Sequence, residues 1–257
     1  MVHAIDLAPF ADIIKAAPGQ TLLDGEALLL ARSGALAVHY APFDHIERDA
    51  RLVCVGITPG REQADNALDA YRQALRAGKP IAEALRHAKL VASFSGPMRS
   101  NIVRMLDLLG IHGALGAVNS AALFAPGGRV HFTSALRYPV FVNGKNYSGT
   151  PNMLRTPLLR DMVETFLAEE VRALPDALWL PLGPKPAAAL RHLAGRGLLS
   201  ANRILQGMPH PSGANAERIA YFLGLKAKGD LSPKTRPVVI DAAREVLLAQ
   251  IGRLRSA

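Results

Sequence analysis

Cysteine is nearly absent from this sequence of 257 residues, because Cys54 is the only one. One cysteine excludes an intrachain disulfide framework, a cysteine-based zinc site and a four-cysteine iron–sulfur cluster. A single cysteine fits a reducing, cytoplasmic environment. The opening segment 1–6 lacks a basic region followed by an apolar block, so no signal peptide is expected. No apolar run is long enough to span a membrane.

Acidic residues are also in short supply. The chain has 30 Lys and Arg against 21 Asp and Glu, which gives a formal net charge of +9 and a pI near 10.0. Such a surface suits a polyanion, DNA or RNA first, although surplus arginine is also common in high-GC bacteria. The phosphate-binding loops Gly-x-x-x-x-Gly-Lys-Ser/Thr and Gly-x-Gly-x-x-Gly do not follow the predicted strands, which ranks a nucleotide-binding small-molecule enzyme lowest.

Short apolar runs alternate with segments of helical periodicity along the chain. Strands are predicted at Arg51–Val55, Val130–Leu136 and Ala177–Gly183. Helices are predicted at about 7–16, 22–30, 61–77, up to 91, 99–109, 155–173, 186–193, 216–222 and 238–254. This alternation predicts an α/β fold, a three-layer α/β/α sandwich with a central, mostly parallel twisted sheet. We expect one domain over 1–257, with a helical segment over about 1–50 and a C-terminal helix.

The first strand breaks abruptly into Gly56-Ile57-Thr58-Pro59-Gly60, and a helix follows. Two glycines and a proline fix a tight turn and let the backbone approach a ligand closely. Parallel strands deliver their carboxyl ends to one edge of a sheet, where α/β proteins place their sites. A rigid strand-to-helix connection with no ligand is the structural alternative.

A second loop, His210-Pro211-Ser212-Gly213-Ala214-Asn215, lies near the carboxyl end, and Phe94-Ser95-Gly96-Pro97 lies between the two. The order and content of these three segments resemble the uracil-DNA glycosylase superfamily over roughly residues 50–225. That superfamily has a Gly-x-x-Pro-Gly-like turn, an aromatic residue that stacks on the flipped base, and a loop containing His-Pro-Ser. The resemblance implies a monofunctional DNA glycosylase that needs no cofactor, and the single cysteine excludes the iron–sulfur branches.

The chemistry of N-glycosidic hydrolysis assigns roles within these segments. The sugar becomes cationic and the departing base anionic, so Thr58 is predicted to position water and His210 to stabilise the base. Residues predicted to bind the substrate are Gly56, Ile57, Pro59, Gly60, Phe94 and Ser134. Residues predicted to contact DNA are Pro211, Ser212, Gly213, Ala214 and Asn215.

Several alternatives stay open. Thr58 stands where the superfamily uses an acidic or amide side chain, so Glu62 or Asp65 could supply the carboxylate instead. Ser134 stands where an asparagine commonly reads the pyrimidine edge, and Asn143 or Asn146 could replace it. Phe94 could be an ordinary core residue. The alternative function is a catalytically weak or inactive DNA-binding protein of the same fold.

Overall fold

The structure, a computed structural model, describes residues 6–18, 20–92, 97–125, 127 and 129–255. Its α-helices are α1 (Ala8–Ala16), α2 (Arg61–Arg76), α3 (Ile81–Ala92), α4 (Pro97–Leu109), α5 (Ile111–Ala114), α6 (Ser120–Leu123), α7 (Pro157–Met162), α8 (Ala168–Ala173), α9 (Pro184–Gly195), α10 (Ala216–Phe222) and α11 (Pro237–Arg255). Its strands are β1 (Leu29–Ser33), β2 (Leu36–His39), β3 (Leu52–Gly56), β4 (Val130–Ser134), β5 (Val140–Val142), β6 (Lys145–Asn146) and β7 (Leu178–Pro181). A π-helical turn, Val163–Leu167, joins α7 to α8, and 3-10 turns cover Gln20–Asp24, Ala201–Arg203, Gly213–Asn215 and Lys228–Asp230.

The chain divides into two compact units. The first comprises Met1–Arg48, Gly56–Ser93 and Phe132–Ala173, and the second comprises Asp49–Val55, Phe94–His131 and Leu174–Ala257. Because the chain passes repeatedly from one unit to the other, this division marks no boundary between consecutive domains. A single domain over 1–257 stays a prediction.

The first unit contains an antiparallel sheet of order β1-β2-β5-β6 and the helix pair α2–α3. The apolar residues of α2 recur at helical spacing and are buried, which gives the helix one face toward the core. The β5–β6 hairpin turns at Asn143 and Gly144, whose φ angles are 48° and 74°. Positive φ at both positions is the backbone of a type I′ turn, which asparagine and glycine tolerate best.

The second unit holds the parallel pair β3–β7, in register from Leu52↔Leu178 to Val55↔Pro181. Every residue of both strands is buried, which explains their continuous apolar runs. Strand β3 is the centre of a sheet of order β4-β3-β7. The carbonyl of Arg129 accepts the N–H of Leu52 at 3.1 Å, and the carbonyl of Gly56 accepts the N–H of Ala135 at 2.8 Å. Because both strands advance in the same direction between these bonds, β4 runs parallel to β3. The α/β class is therefore confirmed.

Two predictions in the first unit are wrong. The helix predicted for about 22–30 is instead a 3-10 turn followed by β1, since β1 pairs along its length with β2 across a turn at Gly34. The stretch after β4, interpreted as a loop, contains the β5–β6 hairpin. Its strands are too short to produce an alternating pattern, although the Asn-Gly pair is itself a hairpin signal.

Candidate functional site

The Gly56 turn (Gly56–Gly60) links β3 to α2, and its backbone pairs with the segment that follows β4. Ala135 N–H donates to the Gly56 carbonyl at 2.8 Å, and Leu136 N–H donates to the Ile57 carbonyl at 3.0 Å. Ser134 ends β4 and is half-buried beside this pairing. Within the first unit, the structure therefore brings Gly56 and Ile57 next to Ser134, all three predicted to bind the substrate.

The hydroxyl of Thr58 ties the Gly56 turn to β5. Its Oγ1 donates to the carbonyl of Tyr138 at 3.0 Å and accepts the N–H of Val140 at 3.1 Å. A hydroxyl has one proton and two lone pairs, so one acceptor position remains for a water. Thr58 thus has a structural role in the first unit, and it can offer a water only a single uncharged acceptor.

The two carboxylates proposed as substitutes differ in their surroundings. Glu62 is exposed, whereas Asp65 is half-buried on α2. Within the described part of the chain, the buried Oδ1 of Asp65 has no hydrogen-bond partner. Burial raises the pKa of Asp65, which the Arg61 guanidinium opposes. Of the two carboxyl groups, that of Asp65 is thus the more buried and lacks a partner at Oδ1.

The two asparagines offered as readers of the base both have local structural roles. Asn143 occupies the left-handed position of the β5–β6 turn and is exposed. The Oδ1 of Asn146 accepts the N–H of Arg61 at 3.0 Å, which caps the first turn of α2. A Cβ at position 60 would lie 3.4 Å from Asn146 Nδ2, which is van der Waals contact, so Asn146 packs directly against the Gly56 turn.

In the second unit, the His210 loop (His210–Asn215) contains a continuous hydrogen-bond chain, the His210 relay. Arg218 donates to Asn215 Oδ1 at 2.8 Å, and Asn215 Nδ2 donates to Ser212 Oγ at 3.2 Å. Ser212 Oγ lies 3.0 Å from His210 Nδ1, and Ser212 N–H donates to that nitrogen at 3.2 Å. Burial lowers the pKa of His210, which favours the neutral ring. An Nδ1 that accepts requires the proton of the neutral ring on Nε2, which becomes the donor.

Neighbouring elements of the second unit hold this loop in place. Asn101 on α4 donates to the carbonyl of the buried Pro211 at 2.9 Å. Gly207, ahead of the loop, has φ 113°, and a Cβ there would lie 2.7 Å from the Cβ of Ala243 on α11. Gly213 and Ala214 are exposed at the tip of the loop. Phe94 lies outside the residues that the structure describes.

Sequence reasoning missed a buried polar cluster in the first unit. The carboxylate of Asp44 accepts from Tyr40 at 3.0 Å and from Tyr138 over a very short distance. Burial raises the pKa values of both tyrosines, and it also raises that of Asp44. Nearby, Lys89 donates to the carbonyls of Phe43 and His45 at 3.0 and 2.6 Å, and burial lowers its pKa to about 8.

Two further features bear on possible ligands. Among the described residues, no group of three or more His, Cys, Asp or Glu side chains is arranged to hold a metal ion. In the same part of the chain, no helix combines the length and apolar character needed to cross a membrane.

A protein of Bacillus subtilis (strain 168), named Uncharacterized protein YoxB, is 34% identical to this chain over 220 residues. The match covers 84% of this chain and 86% of the relative. The chain belongs to the YoxB family. No family model matches it, and no solved structure matches it. The name of this relative states no reaction.

Proposed function

We propose that this chain is a DNA glycosylase that flips out uracil or a related damaged base and hydrolyses its N-glycosidic bond. The single observation that carries the proposal is the His210 relay, which leaves a neutral imidazole with its proton on Nε2. A neutral N–H group donates a hydrogen bond to the negative charge on a departing base. Its nitrogen cannot take up a proton in the same step, because it already carries one. The excess of basic residues favours a polyanionic substrate.

In the first unit, the Gly56 turn is the segment that the resemblance associates with the attacking water. Thr58 would accept a hydrogen bond from the attacking water, and Asp65 would be the carboxyl group that takes up its proton. The same proposal includes the architecture, which would be a uracil-DNA glycosylase-like domain with a three-layer α/β/α sandwich. The protein would be cytoplasmic and would act on DNA.

The engagement of the Thr58 hydroxyl favours a second candidate function. Two of the three hydrogen-bonding positions of this hydroxyl are occupied by Tyr138 and Val140. Such a residue holds water weakly, so the chain would bind DNA but excise bases slowly or not at all. This candidate predicts salt-sensitive DNA binding without strand cleavage.

The deciding experiment incubates purified protein with single- and double-stranded oligonucleotides that carry uracil or another damaged base, followed by alkali. We expect cleavage at the modified position with the wild type and at least about a hundredfold slower release with His210→Ala, by analogy with the loss of one donor to an oxyanion. His87→Ala is the matched control, because His87 is an exposed histidine on α3. Strands that stay intact across the whole panel would rule out the glycosylase, and retained DNA binding would then select the second candidate.

A further inference from the structure

The net positive charge of the chain lies entirely in the second unit. That unit contains 16 Lys and Arg against 7 Asp and Glu, whereas the first unit contains 14 of each kind. The formal charge of +9 is therefore a property of the unit that holds the His210 loop. A polyanion that is attracted by charge should consequently contact the second unit.

A basic segment, residues 216–236, directly follows the His210 loop in the chain and begins with α10. Its charged residues are five basic and two acidic ones, namely Arg218, Lys226, Lys228, Lys234, Arg236, Glu217 and Asp230. Four of the five basic residues are exposed, and the fifth, Lys226, is half-buried. The surface that continues from the loop is therefore rich in accessible positive charge.

Glu217 fixes the fold of the basic segment. Lys226 donates to its Oε1 at 2.7 Å, and the N–H of Ser232 donates to the same oxygen at 3.1 Å. The hydroxyls of Ser232 and Thr235 both donate to Oε2. One of the two acidic residues is thus engaged by the segment itself, and its hydrogen bonds hold the part that carries the exposed cations against α10.

Arg218 joins the basic segment to the His210 loop. Its guanidinium donates to Asn215 Oδ1 at 2.8 Å and to the carbonyl of Lys234 at 3.2 Å, so one side chain spans the two acceptors. Both acceptors are uncharged, and these bonds therefore do not neutralise the guanidinium. Arg218, Lys234 and Arg236 belong to no ion pair within the described part of the chain. Their charges are available to an anion from solvent.

We propose that Arg218, Lys234 and Arg236 bind the phosphate backbone of DNA beside the His210 loop. The choice of DNA as the polyanion rests on the proposed function. Because Arg218 keeps the Lys234 backbone next to Asn215, the phosphates bound here would belong to nucleotides that flank the flipped base. Contacts to phosphate position a strand without reading its sequence, so this surface would contribute affinity whichever base is excised.

The test measures fluorescence anisotropy of a labelled, undamaged DNA duplex over a series of salt concentrations. Lys234→Gln combined with Arg236→Gln should weaken binding about tenfold and reduce the slope of log K against log salt by about 1.8, which is about 0.9 for each lost phosphate contact. The matched control combines Lys15→Gln with Arg172→Gln, which removes one exposed lysine and one exposed arginine from the first unit. It changes the net charge equally and should alter the affinity less than twofold.

Equal affinities and equal salt slopes for the two double variants, at unchanged melting temperatures, would overturn the proposal. An RNA duplex of the same sequence is the second probe, and tighter binding of RNA than of DNA by the wild type would overturn DNA as the partner. Because the DNA is undamaged, the result does not depend on base excision. Intact uracil-containing strands together with the expected loss of binding would reject the glycosylase and support this surface.

Discussion

The backbone N–H of Ser212 donates to Nδ1 of His210 over 3.2 Å, and this bond selects which ring nitrogen carries the proton. The hydroxyl of Ser212 lies 3.0 Å from the same nitrogen and accepts from Asn215. In the proposed glycosylase, Ser212 would be a positioning residue that acts through the orientation of His210.

Removing the Ser212 hydroxyl should slow base release while leaving the fold intact. With Ser212→Ala, we expect about a tenfold lower single-turnover rate, or roughly 1.4 kcal/mol, because His210 keeps only the backbone bond. Ser212→Thr retains the hydroxyl and should stay within about twofold of the wild type. If both variants lose DNA affinity in equal measure and keep their rates, Ser212 contacts phosphate instead.

The stability of the protein should depend on pH through His210. The unfolded chain protonates this histidine near pH 6.5, whereas burial lowers the pKa of the folded form. The unfolded state therefore binds more protons in this window, and the free energy of unfolding falls as the pH is lowered from about 7.5 to about 5.5. His210→Gln should show a smaller fall in urea denaturation, and an equal fall would contradict the assignment. His39 and His45, whose pKa values burial also lowers, contribute to the dependence that remains.

Thr58→Val should destabilise the protein even if Thr58 plays no part in catalysis. The valine leaves the N–H of Val140 without its acceptor and the carbonyl of Tyr138 without its donor. Because the site is half-buried, we expect a loss of about 1–2 kcal/mol in the free energy of unfolding. Thr58→Ser keeps both bonds and should lose less than half as much. Similar losses for the two variants would show that the methyl group, not the hydroxyl, matters.

The ion pair between Arg137 and Glu170 should be sensitive to the loss of one partner. Arg137 Nε donates to Glu170 at 2.9 Å, and the exposed fractions of the two side chains are 4% and 0%. Arg137→Met leaves a buried carboxylate without this cation, so we expect a loss of about 3–5 kcal/mol by chemical denaturation. Glu169 also pairs with Arg137 at 2.9 Å but is 58% exposed. Glu169→Gln should therefore lose less than about 1 kcal/mol.

Asn146→Ala should weaken the start of α2. The variant removes the acceptor of the Arg61 N–H, and the loss of such a cap amounts to about 1 kcal/mol. Lys145→Ala, at the exposed neighbouring position, is the control and should be close to neutral. A thermal shift equal in both variants would show that the bond contributes nothing to stability.

Sequence patterns predicted the helices and strands whose periodicity and end-marking residues all lie within a short segment. The helix expected at 216–222 is α10, and the apolar run before Gly56 is β3, because glycine and proline mark their ends clearly. The segment at about 22–30 failed because its leucines fit a helix as well as a strand, and only pairing with β2 distinguishes the two.

The sequence indicated which types of residue the candidate site contains, but it did not indicate which residues they contact. Nothing near Thr58 in the sequence indicates that Val140, 82 positions away, uses its hydroxyl. The Asp44 cluster was missed for the same reason, since its partner Tyr138 is 94 positions distant. The roles of His210, Asp65 and the other predicted residues in catalysis stay predictions.

Gly207 and Ala243 leave no room for a methyl group between them, and this constrains how members of the YoxB family can diverge. A larger side chain at either position would displace the segment that leads into His210. Position 207 should therefore remain glycine, and position 243 should remain small, even where the exposed positions of α11 vary. Helix α11 therefore constrains the segment at Gly207, which lies more than thirty residues before Ala243 in the chain. Sequence changes in either the helix or this segment are restricted by the other.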